Sequence, residues 1–453
     1  MSNPILKTFD YSFLSFLKHR VNGGMVLMVV AVLAMIVANS PWAETYHAFW
    51  NHPVSLQVGG FNLFSHHGEP LTLMAFINDA LMAVFFFSVG LEIKREVLVG
   101  ELSSLRQALL PIIAAVGGMI IPVAIYFAMT SGTPAEGGLA IPMATDIAFS
   151  LGVLSLFGKR VPLSLKIFLT AFAVVDDIGG ILVIAFCYTS HLAGGYLLAA
   201  FIILAILLIA NRMQVMSRTF YCVSGIVVWY LFLQSGVHAT IAGVLVAFTI
   251  PSIPCLNVKK YITRIRENIA GFPHFDKSSI LLTPNQIDVL KSIESASDKV
   301  ISPLQFMEDR MHGMVNYVIM PLFAFANAGI TLSGGEGDIA GLVTYAVVLG
   351  LMLGKFAGIY LFTWLAVRMR ITSLPQGMDW KNVAGVSLLG GIGFTVSLFI
   401  ANLSFGATDE ALLNQAKLGV LGGTILAGVV GYMVLSFVLP SKKSVLLHDK
   451  SME

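Results

Sequence analysis

Charged side chains are scarce. Asp, Glu, Lys and Arg make up 11% of the 453 residues, against about a quarter in a soluble globular chain. A chain so poor in charge cannot cover itself with polar surface in water. It also lacks an excess of either sign: the formal net charge is +2, which excludes a strongly basic nucleic-acid binder. Cysteine is nearly absent. Cys187, Cys222 and Cys255 are scattered along the chain, a pattern that fits neither a disulfide framework nor a zinc site. No cofactor motif stands out, and none is expected. What the chain does have is apolar sequence, 57% of its residues, in long runs.

A bilayer core about 30 Å thick needs about 20 apolar residues per helix. The first apolar run, Gly23 to Asn39, follows Lys18 and Arg20 and so resembles a signal peptide. Many similar runs follow, so it reads as the first span. The runs predict an all-α polytopic membrane protein, one domain over 1–453, with about twelve transmembrane helices. The predicted spans are 23–39, 71–91, 108–129, 138–157, 162–187, 195–210, 219–235, 237–251, 311–331, 341–367, 383–404 and 416–439. Basic residues test this map. Connections that should face inside hold Lys94, Arg95 and Arg106, then Lys159, Arg160 and Lys166, then Arg212 and Arg218. The later inside connections hold Lys259 through Arg310, and Arg368, Arg370 and Lys381. The alternate connections hold no Lys or Arg; only Lys417, at the mouth of the last span, breaks the pattern. The positive-inside rule therefore places both termini in the cytoplasm.

Two connections carry structure of their own. Residues 54–64, VSLQVGGFNLF, flank Gly59-Gly60 with two alternating runs, which predicts a short extracytoplasmic β-hairpin. An isolated hairpin is marginal in water. It therefore packs either on its own loop or on the same segment of a second subunit, which would make the chain a homodimer through residues 54–64. The loop 252–310 is long, charged and inside. Thr283-Pro284 predicts the start of a helix with Ile287, Leu290 and Ile293 on one face, either a passive surface helix or a regulatory lid.

Charged groups at the bilayer centre cost about 2.5–3.5 kcal/mol each on insertion scales, so each needs a reason. Asp176 and Asp177 sit in AFAVVDDIGGILVIA, mid-span. Adjacent helical residues point about 100° apart. One carboxylate can therefore face an ion cavity while the other faces a neighbouring helix; the alternative is a pair of neutral structural acids. Asp146 sits in AIPMATDIAFSLG behind Pro142, with Thr145 offering a hydroxyl. Pro142 predicts an interrupted helix, and broken helices survive at membrane depth only around buried or water-lined sites. The plainer reading is a proline kink with a capping Asp. Lys355 lies too deep in VVLGLMLGKFAGIYLF to snorkel and needs a carboxylate partner, Asp176 or Asp146. The segment SLLGGIGFTVSLF predicts a second interruption at Gly390, Gly391 and Gly393, followed by Thr395. The two predicted breaks fall in the middle members of two oppositely oriented three-span sets, an inverted repeat with a midplane site. Asp79, Glu92 and Glu96 lie in and at the end of the second span. They form an ion funnel or pH sensor on one reading and a solvated interfacial cluster on the other. His238, Glu308 and His312 open neighbouring spans, and histidine titrates near neutrality.

With these residues in view, the chain resembles the NhaA-type sodium/proton antiporter family. The matching strings include INDALMAVFF, VGLEIKRE, AIPMATDIAF, KRVPLSLKIFL, VVDDIGG, SGVHATIAGV, PLFAFANAG and GIGFTVSLFIA, in order along most of the chain. The resemblance implies twelve spans, with spans four and eleven broken and crossing at the midplane, in a bacterial inner (plasma) membrane. It implies exchange of Na+ or Li+ for H+, regulated by pH, in sodium and pH homeostasis. By motif, Asp176 and Asp177 become the sodium and proton carriers. Asp146 and Thr145 sit at the break as further cation- and proton-binding residues, where Asp146 also balances helix-end charge, and Lys355 becomes the partner of Asp176. Glu92, Glu308 and His238 become the pH-response residues; Asp79 matches an acidic position of less defined role. The connection 252–307 is longer than the family's usual one.

These readings lead to alternating access with competition for one site. Protonated carboxylates exclude sodium; ionised ones admit it, with oxygen ligands replacing its hydration shell. Two protons released per Na+ would make the exchange electrogenic. The rivals are an intramembrane aspartyl protease opposing Asp176 and Asp146, for which no GLGD-like motif is present, and a passive channel, against which Lys355 in a cation path argues.

Overall fold

The computed structural model describes residues 23–55, 57–58, 61–62, 65–66, 69–188, 192–253, 258–272, 282–330, 341–406 and 409–440. Among these the chain is helical apart from a few two-residue strands. Six helices are long and apolar enough to cross a membrane: Leu73–Val99, Leu105–Thr130, Leu163–Cys187, Gly194–Arg212, Leu342–Arg368 and Glu410–Val438. Three bent pairs raise the number to nine when each counts as one span. They are Gly23–Ala38 with Ala43–Trp50 at 114°, Pro134–Met143 with Ile147–Ser155 at 43°, and Trp380–Leu389 with Phe394–Phe405 at 44°.

Twelve spans are expected; the three segments outside this number are built from shorter, interrupted or less apolar helices. The segment expected at 237–251 forms the 11-residue helix Ala239–Thr249, shorter than a bilayer crossing needs. The segment expected at 311–331 is assembled from Pro303–Met314, a π turn at Val315–Ile319 and Met320–Asn327. The segment at 219–235 forms Arg218–Ser235, which carries Gln234, two serines and two tyrosines among its apolar residues.

Helix ends follow local chemistry. Ser104, Ser302 and Asp409 accept backbone N–H bonds from Gln107, Gln305 and Leu412, satisfying donors that the first turn leaves unpaired. Gly236, at φ 80°, ends Arg218–Ser235 in the left-handed conformation that favours glycine. Two basic residues close helix C-termini. Lys94 Nζ donates to the carbonyls of Phe248 (2.7 Å) and Ile250 (2.5 Å). Arg160 donates to those of Ser436, Leu439 and Pro440 at 2.6–3.1 Å. Both cations meet the negative end of a helix dipole.

Close packing at the centre depends on small residues, as membrane interfaces do. Helices Leu105–Thr130 and Leu342–Arg368 touch backbone to backbone: a Cβ on Gly358 would collide with the carbonyl of Gly117. One turn further, a Cβ on Gly354 would lie 2.7 Å from Pro122 Cα. Gly350–Gly354 forms a π turn immediately before Lys355. Such turns are rare and recur at functional sites; a second, Ile77–Leu81, contains Asp79.

Outside the bundle, Gln57–Val58 pairs antiparallel with Phe61–Asn62 in the register Gln57↔Asn62, Val58↔Phe61. The turn at Gly59-Gly60 lies outside the described residues. In the long charged connection, helix Pro284–Val300 starts where Thr283-Pro284 predicts. Gln286 N–H donates to Thr283 Oγ1 at 3.4 Å and Thr283 N–H donates to Gln286 Oε1 at 2.9 Å, a reciprocal cap. Ile287 and Leu290 are exposed on it.

Candidate functional site: a buried carboxylate centre between two interrupted helices

The two 43–44° bends face each other. Both interruptions arise from sequence that helix tolerates poorly: Pro142 before one, Gly390, Gly391 and Gly393 within the other. Each break frees backbone groups, and the partner break satisfies them. Asp146 N–H donates to the Ile392 carbonyl at 2.7 Å. Thr145 Oγ1 donates to the Gly390 carbonyl at 2.8 Å, and Ser150 Oγ to the Leu389 carbonyl at 2.9 Å. Ser397 Oγ returns the favour to the Ile141 carbonyl at 2.8 Å.

Asp146 is the hinge of this arrangement. It caps Ile147–Ser155, its Oδ1 accepting the Phe149 amide at 3.0 Å. Its Oδ2 accepts both the amide (3.2 Å) and the hydroxyl (2.6 Å) of Thr395, in the first turn of Phe394–Phe405. One carboxylate therefore sits against two helix N-termini, the positive ends of both dipoles. With both oxygens engaged, Asp146 does not oppose Asp176 as a protease dyad requires. Thr145, Asp146 and Thr395 are all fully buried or nearly so.

Asp176 and Asp177 come from one uninterrupted helix, Leu163–Cys187. The helical rotation between them gives them different surroundings. Asp176 Oδ2 accepts from Lys355 Nζ at 2.7 Å, and both side chains are 0% exposed. A buried pair this short is a charge-assisted hydrogen bond. Lys355 also lies 5.5 Å from the centre of the Phe172 ring. The other oxygen, Asp176 Oδ1, is buried and accepts no hydrogen bond of normal geometry among the described residues, with Thr145 the further polar group close to Asp176. Asp177 is 5% exposed and forms no hydrogen bond with a described side chain. Around it, within electrostatic reach, lie Asp176, Glu92, Asp146 and Lys355. The centre thus holds the carboxylates of Asp146, Asp176 and Asp177 and the amine of Lys355, with Glu92 as a fourth carboxylate within reach and two carboxylate faces uncommitted. Buried polar atoms are nearly always partnered, so an unpartnered carboxylate oxygen beside an unpartnered carboxylate marks a place for a cation or a proton.

Other expected residues are gathered elsewhere. Glu92 lies on the same helix as a second cluster and within electrostatic reach of it. There Arg95 bridges Glu308 (Nε to Oε1, 2.7 Å) and Glu96 (Nη2 to Oε1, 2.7 Å). Glu92 stands between this cluster and Asp177. His238 does not join it. It precedes Ala239–Thr249, with its ring 6.4 Å from that of Phe399. Asp79 stands apart as well; its carbonyl accepts from Trp229 Nε1 at 3.3 Å.

Two features escaped sequence reasoning. Thr395 was visible only as the residue after a glycine-rich stretch, whereas it is the second break's ligand to Asp146. A chain of amides also links three helices: Asn327 Nδ2 donates to Asn78 Oδ1 at 2.9 Å, and Asn402 Nδ2 to Asn327 Oδ1 at 2.7 Å. The signal for it was two asparagines inside apolar runs, PLFAFANAG and LFIANLSF. Lys417, an outlier in the charge map, is 7% exposed within Glu410–Val438.

Residues 14–435 match the family described as Na+/H+ antiporter 1. A protein of Phocaeicola vulgatus named Na(+)/H(+) antiporter NhaA is 65% identical over 434 residues, covering 96% of this chain and 97% of that protein. A protein of the same name from Bacteroides fragilis is 60% identical over 433 residues, 95% and 99% of the two chains. A more distant relative, Na(+)/H(+) antiporter NhaA 2 of Syntrophotalea carbinolica, is 45% identical over 435 residues, 94% and 96%.

Proposed function

Because this chain belongs to the Na+/H+ antiporter 1 family, we propose that it exchanges Na+ for H+ at the carboxylates of Asp176 and Asp177. The observation that carries the assignment is the uncommitted oxygen of Asp176 beside the unpartnered Asp177. Sodium, a hard cation, takes oxygen ligands, and Li+ satisfies the same preference. When the carboxylates carry protons, the cation has no counter-charge and does not bind. When they release them, it binds. Antiport follows from this mutual exclusion once the site opens to each side in turn.

The two bends supply the element that moves. One backbone bond and several side-chain bonds join them across the break, so the pair can shift as a unit against the surrounding helices. Asp146 holds the facing helix N-termini together and, with Thr145, completes the polar wall of the cation and proton site. The finer architecture we assign is that of twelve spans in two inverted repeats, with the interrupted helices crossing at the midplane. The membrane is the bacterial inner membrane, and both termini are cytoplasmic, following the distribution of Lys and Arg. Glu92, with Arg95, Glu96 and Glu308 next to it, is the route by which proton concentration reaches Asp177; His238 contributes from the opposite side.

Two protons leave per Na+ when both Asp176 and Asp177 cycle, which makes the exchange electrogenic. In everted membrane vesicles carrying a pH dye, addition of Na+ should release trapped protons. Clamping the membrane potential at zero should slow that release, and raising the pH from about 6 to about 9 should switch it on, across the range where histidine and perturbed carboxylates titrate. No response to Na+ anywhere in that range would remove the assignment. A response indifferent to potential would remove the two-proton stoichiometry alone.

The segment 54–64 is the dimer contact in this reading. Its paired strands are too short to stand alone, and the same segment of a second subunit offers them free edges. Deleting it should convert the detergent-solubilised protein from dimer to monomer by light scattering, whereas an unchanged mass would place the contact elsewhere.

A further inference from the structure

At the arginine-rich end of the bundle, away from the carboxylate centre, a cavity of about 850 Å³ opens between three chain segments. Arg106 and Gln107 reach it from the start of Leu105–Thr130, Ser164 from the start of Leu163–Cys187, and Arg370 with Thr372 from the stretch after Leu342–Arg368. Nothing in ion exchange requires it.

Its chemistry favours an anion. Neither Arg106 nor Arg370 forms an ion pair or hydrogen bond through its guanidinium with another described residue. The one acid lining the cavity is Glu101, which leaves an excess of positive charge. Ser164 Oγ is buried and without a partner among the described residues, so an unused hydroxyl donor lines the same cavity as the two arginines. Guanidinium presents paired donors that match phosphate oxygens.

Arg370 supplies an independent sign. Its φ is 59°, the left-handed region. Its amide donates to the Val367 carbonyl at 3.0 Å and the Ile371 amide to the Ala366 carbonyl at 3.0 Å, closing the helix C-terminus. Glycine is the usual occupant of that position because a Cβ is crowded there. An arginine at this point places a cation over the cavity against the local backbone preference.

The rim identifies the source of the anion. Ile371, in the lining, is 48% exposed, and Leu110, Ile167 and Phe168 line the cavity with it; Leu105 and Leu163, each one residue before a lining residue, are 82% and 71% exposed. A pocket that combines two guanidinium groups with aliphatic and aromatic side chains, at the ends of membrane-crossing helices, stands where headgroups meet acyl chains. We propose that this cavity binds the phosphate of an anionic phospholipid headgroup, with Arg106 and Arg370 on its oxygens, Ser164 as an added donor and Ile371 and the apolar lining on its acyl chains.

The test uses the purified full-length chain in a neutral detergent, followed by thermal unfolding. A ligand that binds the folded state raises the midpoint. Phosphatidylglycerol should raise it by several degrees, and phosphatidylcholine by clearly less. The phosphatidylglycerol shift should shrink in Arg106→Gln and in Arg370→Gly and vanish in the double variant, while Lys381→Gln, a basic residue outside the cavity, keeps it. Arg370→Gly suits its backbone, so its folding is not at risk, and each variant's unliganded midpoint serves as its own reference. A shift of equal size in wild type and double variant would overturn the site, as would equal shifts from the two lipids. Inorganic phosphate reproducing the arginine-dependent shift would assign the cavity to a soluble phosphate and overturn the lipid.

Discussion

Asp177→Asn should abolish sodium-driven proton movement in everted vesicles while leaving the protein folded and inserted. Asparagine has nearly the shape of aspartate, and Asp177 forms no hydrogen bond with a described side chain that the change would break. What it removes is the counter-charge. A unit charge about 4 Å from Na+ at an effective dielectric of about 20 contributes about 4 kcal/mol, roughly a thousandfold in affinity. Sodium that half-saturates the wild type would then leave the variant essentially empty. It also removes a proton that must be exchanged, so higher Na+ cannot restore coupled transport. The dye response in wild-type and variant vesicles, at matched protein levels, measures this directly. A variant that still moves protons in response to Na+ would take the ion site away from Asp177.

The second large effect concerns Lys355. Its ammonium and the Asp176 carboxylate are both wholly buried and 2.7 Å apart. Removing one member of such a pair leaves a desolvated charge, at a cost of about 3–5 kcal/mol. Lys355→Met should therefore lower the thermal unfolding midpoint in detergent sharply, and Asp176→Asn somewhat less, since an amide can still accept a weaker bond from the lysine. Replacing both should recover most of the loss, because apolar or neutral substitutes for a buried ion pair are often tolerated. A Lys355→Met protein as stable as wild type would mean that the pair is not ionic in the folded state. Transport separates the two roles. Lys355→Met frees Asp176 from its competitor, so Na+ affinity need not fall with stability, whereas Asp176→Asn should lose both.

The residues proposed to carry the chemistry were legible before any fold was known, because the bilayer makes polar residues expensive and therefore conspicuous. Asp146, Asp176, Asp177 and Lys355 stood out against apolar runs, and Pro142 and the glycines at 390–393 marked both interruptions. The pairing of Lys355 was narrowed to Asp176 or Asp146, and geometry chose Asp176 by giving both oxygens of Asp146 to Phe149 and Thr395. The number of membrane-crossing helices was less legible. Hydropathy reads apolar length but not the π turn at Val315–Ile319 or the brevity of Ala239–Thr249. The proposed pH-response residues were picked by type and place. The structure gathers Glu92 and Glu308 around Arg95 and leaves His238 against Phe399.

The sequence by itself determined that this chain lies in a membrane, where it spends its few buried charges, and where its helices break. These are local matters, set by hydropathy, by proline and glycine, and by the cost of burying charge. Only the tertiary structure decided which charge meets which. Asp146 and Thr395 are 249 residues apart, and Lys355 and Asp176 are 179 apart. A contact at such separation depends on how whole helices pack, on glycines such as Gly117 and Gly358 that let two backbones touch, and no local pattern encodes it. The uncommitted oxygen of Asp176 is a property of that packing alone: it exists because Lys355 occupies one side of the carboxylate and Thr145, close to Asp176, gives its hydroxyl to the Gly390 carbonyl.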